Sequence, residues 1–176
     1  MKSDVIMIDN RSNGFETALE ETRKVAAYKG LDRKETMRLL LCAEEMLSMA
    51  RSVTGEMQAS FWIETAGKDL ELHMSTKTVM DKEKRALLIS AATSRKNESA
   101  RSLLGRIRDA FEAAMANEAD HSDQVPWEAW ADLANHPVDD PEWDGYEQSV
   151  LRKVADQVKV GIRGSVVDLT VCKHFE

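Results

Sequence analysis

Asp120, His121 and Asp123, and further on His136, Asp139 and Asp140, bring imidazole nitrogens and carboxylate oxygens together within a chain of 176 residues. Those donor types suit a divalent cation. Neither group has the spacing of a calcium loop or a zinc site, so a solvated acidic loop is the simpler reading. His73 falls on the polar side of an alternating strand pattern, and His174 lies near the C-terminus. No serine or cysteine motif accompanies either histidine, which leaves nucleophilic catalysis without support. Cys42 and Cys172 sit in a helical and a strand pattern respectively and read as small buried hydrophobes in a reducing compartment. Lys82-Glu83-Lys84-Arg85 and Arg101, Arg106 and Arg108 read as solvated helix faces.

Charge is distributed unevenly. Asp109 to Leu151 contains no Lys or Arg, twelve Asp and Glu, all three prolines (Pro126, Pro137, Pro141) and three of the four tryptophans. Elsewhere the chain has 24 basic against 19 acidic residues, so a mildly basic scaffold carries an acidic, aromatic insertion at 117–143. The net charge of −7 argues against nonspecific binding of nucleic acid, whose phosphates need a basic face. No apolar run approaches the roughly 18 residues of a membrane span. Trp127, Trp130 and Trp143 either pin the insertion to the scaffold or form a docking surface for a protein partner, since tryptophan is enriched at binding hot spots.

The elements that must position these residues follow from periodicity. Val5–Ile8 reads as a strand and Phe15–Tyr28 as a helix ending before Gly30. Asp32, with Glu35 three residues later, has the form of a capping box. The helix after it carries an apolar stripe through Leu39, Cys42, Ala43, Met46, Met49, Ala50 and Val53. Met57–Thr65 and Asp69–Thr76 form a hairpin about Ala66-Gly67-Lys68, with Leu70, Leu72 and Met74 on the buried side. Helical patterns follow over Asp81–Thr93 and Ser99–Ala116. A last helix opens at Asp144, and strands Val158–Ile162 and Val166–Val171 close the chain. Adjacent hairpin strands with helices between them predict a single α+β domain over 1–176, with helices packed on one face of a mixed β-sheet.

Gly145-Tyr146, Leu151–Val160 and Leu169–Lys173 resemble the last helix and hairpin of the anti-sigma-factor serine kinases, members of the histidine-kinase-like (GHKL) ATPase superfamily. Phe15–Gly30 and Leu31–Gly55 resemble that family's two opening helices, the second of which carries its Glu-x-x-x-Asn box. The resemblance covers about two-thirds of the chain. It implies a histidine-kinase-like ATPase fold, an ATP–Mg²⁺ cofactor and control of a sigma factor or of an anti-sigma antagonist. It also implies that Glu45 is the catalytic base or water-orienting residue, and it allows a homodimer.

The nucleotide boxes themselves depart from that pattern. The box asparagine, a hard oxygen donor to Mg²⁺, is replaced by Met49, whose thioether is soft. The family's Asp-x-Gly-x-Gly adenine box corresponds to Ser75-Thr76-Lys77-Thr78-Val79, with Ser75 and Lys77 at nucleotide-box positions and no aspartate or glycine. The glycine-rich lid is reduced to Gly145 amid Asp139, Asp140, Glu142, Asp144 and Glu147, which would repel a triphosphate by about 1 kcal/mol per close pair in water. The expectation is therefore a cytoplasmic regulatory protein acting by protein–protein binding, with no cofactor, no nucleic acid and no membrane. An active ATP-dependent serine kinase with drifted motifs is the alternative. A sensor of some other small ligand in the vacated pocket is a third reading.

Overall fold

The computed structural model describes residues 1–9, 11–54, 58–100 and 150–176. The expected helix beyond Ala100, the insertion at 117–143 and the opening of the last helix at Asp144 fall outside the described residues. The elements run β1 (Ile6–Ile8), α1 (Phe15–Tyr28), α2 (Arg33–Thr54), β2 (Ala59–Ala66), β3 (Asp69–Lys77), α3 (Lys82–Ala91), a 3₁₀ turn (Glu98–Ala100), α4 (Val150–Val154), β4 (Gln157–Arg163) and β5 (Val166–His174).

Chain entry into α1 depends on Gly14. Its φ is +82°, and a Cβ there would lie 2.2 Å from the Met7 carbonyl oxygen, so only glycine lets the chain turn so tightly off β1. Asp9 fastens the same turn by accepting from the Arg11 and Asn13 backbone N–H groups at 2.9 and 3.0 Å. The capping box expected at α2 forms in both directions. Glu35 N–H donates to Asp32 Oδ1 at 2.7 Å, and Asp32 N–H donates to Glu35 Oε2 at 2.8 Å. Asp81 caps α3 through the Lys84 N–H at 2.7 Å.

The sheet order is β1-β2-β3-β5-β4, and every neighbouring pair is antiparallel. This corrects the expectation of a mixed sheet. Two consecutive helices, α1 and α2, fold back on each other and return the chain to the end of the sheet it left, so β2 runs against β1. A parallel neighbour needs a crossover that carries the chain to the opposite end. The isolated bridge between Asn97 and Val160 is parallel, but it lies outside the named strands.

One core joins the helices to one face of the sheet. Leu39, Cys42, Ala43 and Met46 of α2 are fully buried with Phe61, Ile63, Leu70, Leu72, Met74, Val160, Leu169 and Val171. Each large side chain so buried contributes roughly 1.5–3 kcal/mol. Leu47, one position off the expected stripe, is buried as well. Its helix is enclosed by α1 and α4 in addition to the sheet, which widens the apolar sector it must present.

Candidate functional site

The two sides of the sheet separate the residues that the sequence marks as a site. Glu45 and Met49 lie one turn apart on α2, on the helix-covered side. Glu45 is partly exposed, and Met49 packs against the apolar core. Ser75 and Lys77 alternate with the buried Met74 and Thr76, so they face the other side. Ser75 Oγ donates to Asp168 Oδ1 at 2.7 Å, and Arg163 holds the second oxygen of that carboxylate at 2.7 Å. Lys77 is exposed at the end of β3. The following backbone is tied down by Thr78 N–H to the Ser165 carbonyl at 2.8 Å, and no residue from 75 to 79 has a positive φ. The structure therefore brings Glu45 and Met49 together and places Ser75 and Lys77 across the sheet from them. Gly145, Trp127, Trp130, Trp143 and the two histidine–aspartate groups lie outside the described residues.

The face that no described helix covers carries a polar and aromatic network that the sequence reading missed. Trp62 and His73 are register partners on β2 and β3 and stack with ring centroids 5.1 Å apart and planes 10° from parallel. Lys2 stands over the Trp62 ring at 4.7 Å and pairs with Glu64 at 3.2 Å, while the indole N–H donates to Glu64 at 2.9 Å. These partners, the Trp62 N–H first and Lys2 next, hold the Glu64 carboxyl below its ordinary range. Glu64 faces Glu71 directly across the strands, a like-charge pairing that costs stability unless each is neutralised. Lys2 answers the first. Lys159 answers the second at 3.5 Å, with the His73 imidazole 3.4 Å from the same carboxylate.

His73 is the most constrained group in this network. Its Nδ1 is 3.1 Å from Thr170 Oγ1, and its buried Nε2 faces Glu71 without hydrogen-bond geometry. Burial lowers its pKa below the ordinary 6.5, outweighing the opposing pull of Glu64 and Glu71. Cys172, whose Sγ donates to Glu71 at 3.4 Å, is held in its thiol form because burial raises its pKa. Cys42 is pushed up to about 11 by burial in the core. Neither is an activated nucleophile.

Below this network an open groove of about 460 Å³ runs along the ends of β3, β5 and β4. Lys173 pairs there with Asp156 at 2.6 Å, and His174 Nδ1 lies 2.7 Å from Asp69 Oδ1. Among the described residues no three His, Cys, Asp or Glu side chains gather into a metal-binding group. The Trp62–His73 stack was legible in principle, because a two-residue turn at Gly67-Lys68 fixes every cross-strand pair of the hairpin. Neither models of known protein families nor curated proteins match this chain.

Proposed function

We propose that this chain is a regulatory protein that works by binding a protein partner, on a scaffold of the histidine-kinase-like ATPase kind whose nucleotide site is lost or weakened. Support for the scaffold comes from its order of strand, two helices and hairpin, then helix and closing hairpin, with α1, α2 and α4 packed around one core. The observation that carries the functional reading is Met49. Where the resembled kinases place an oxygen ligand for Mg²⁺, this chain packs a thioether against its core. Ser75 adds to it, because its hydroxyl is committed to Asp168 on the opposite side of the sheet. The residues at these positions do not fit a magnesium nucleotide.

The partner class that the resemblance implies is a sigma factor or an anti-sigma antagonist, with Trp127, Trp130 and Trp143 as the proposed docking residues. A cytoplasmic setting belongs to the same proposal. No described helix is long and apolar enough to cross a membrane. Calorimetric titration with Mg-ATP tests the reading, with no saturable binding expected below about 100 μM, a range worth about 5–6 kcal/mol. Saturable binding there, with turnover abolished by Glu45→Ala, would establish the competing reading of a working serine kinase.

A further inference from the structure

Among the described residues β4 is the last strand of the sheet, yet its outer edge is not open. Thr93 Oγ1 accepts from the Val158 N–H at 2.7 Å, and Thr93 N–H donates to the Val158 carbonyl at 2.9 Å. Four residues on, the buried Asn97 does the same with its side chain. Its Oδ1 accepts from Ile162 N–H at 2.8 Å, and its Nδ2 donates to the Ile162 carbonyl at 2.9 Å. A bridge between Asn97 and Val160 fills the middle. Residues 93–99 thus occupy the hydrogen-bonding positions of a sixth strand without forming one, and Arg95 bends to a φ of +51° to make this fit. Ser99 Oγ lies 2.7 Å from where a Gly161 Cβ would be, so the segment rests directly on that glycine.

We propose that residues 93–99 are a strap closing the β4 edge, and that an opened edge accepts a second copy of this chain, antiparallel about Val160. An uncovered strand edge is a template for pairing, and covering it is how folded chains prevent that. The sequence of β4, Gln157-Val158-Lys159-Val160-Gly161-Ile162-Arg163, is self-complementary in this register. Val158 meets Ile162 of the second copy, and Val160 meets Val160, which continues the buried apolar face. The outward N–H and C=O groups at Val158 and Ile162, now held by the strap, are the ones such a pairing satisfies. On the other face Lys159 lies opposite Gly161, which leaves room for its stem, and Arg163 lies opposite Gln157. The two Lys159 side chains stand diagonally, about 7–8 Å apart, and each already pairs with its own Glu71.

The test compares the full chain with Thr93→Pro/Asn97→Ala, which removes all four strap bonds at Val158 and Ile162. Ala92 already has the extended ψ of 137° that a residue before proline requires. Sedimentation across a concentration series is expected to show the opened variant gaining a species of twice the mass of the wild-type particle. The Val158 and Ile162 amides should exchange quickly when dilute and slowly when concentrated. Adding Gly161→Lys sets lysines opposite each other across the two-fold and is expected to abolish the larger species. With the strap gone, the remaining neighbours of that Cβ are at 3.8 Å or more. No mass change on opening, or a larger species indifferent to Gly161→Lys, overturns the proposal. Should the double variant not fold, native-state exchange of the wild type decides. The Val158 and Ile162 amides are expected to exchange together, at least about tenfold faster than the Leu72 and Leu169 amides, and equal rates refute a strap that opens.

Discussion

Phe61 and Trp62 are adjacent in sequence and live in opposite worlds. Phe61 is fully buried beneath the helices, and Trp62 lies on a face that no described helix covers. On the first face stability comes from excluding water, and any apolar side chain of the right shape serves. On the second it comes from named pairs, with Trp62 on His73, Lys2 on Glu64 and Lys159 on Glu71. A strand with period two can therefore hold a generic core and a specific surface at once. The residues marked by resemblance to a kinase are split by the same division, since Met49 joins the core and Ser75 joins the polar network.

The sharpest way to break this comparison is to truncate one residue on each face. Phe61→Ala is expected to cost about 3–5 kcal/mol in urea unfolding, because it leaves a cavity in a packed core. Trp62→Ala should cost about 1–2 kcal/mol, the worth of one aromatic stack and one cation–π contact. Equal losses would mean that the Trp62 face is covered by something the pairs do not account for. Asp81→Ala, which touches neither face, provides the scale of a single helix cap at about 1 kcal/mol.

The smallest effect concerns pH. The folded state lowers the His73 pKa below 6.5, so between the two values the unfolded chain binds more protons. Stability from this group is present above the unfolded value and is lost as the pH falls toward the folded one. The slope cannot exceed about 1.4 kcal/mol per pH unit for one group. His73→Gln should flatten unfolding free energy measured between pH 5 and 7, a window set around the ordinary histidine value. An unchanged slope would show that His73 protonates as freely in the folded chain as in the unfolded one.

Much of the fold was legible because its signals are local. The Asp32–Glu35 box, the α2 stripe through Met46 and the alternation along β3 each depend on residues close in sequence. Antiparallel pairing throughout the sheet was not legible, because strand direction depends on the paths of intervening helices. Leu47 escaped the stripe because enclosure by α1 and α4 is a tertiary fact. The strap escaped for a similar reason. Thr93 reads as the end of a helix and Asn97 as a polar residue between helices until β4 arrives from more than sixty residues away to receive them. At the candidate site, the substitution of Met49 was visible in the chain, whereas the commitment of Ser75 to Asp168 required the register of β3 against β5.

The proposal that Met49 packs against the core where the resembled kinases hold Mg²⁺ is tested most directly by its own methyl group. With the methyl groups isotopically labelled and Met49 assigned by its Leu variant, Mg-ATP is titrated while the resonances are followed by NMR. The Met49 methyl signal is expected to stay fixed as nucleotide is added. A saturable shift of that signal, dependent on magnesium, would contradict it.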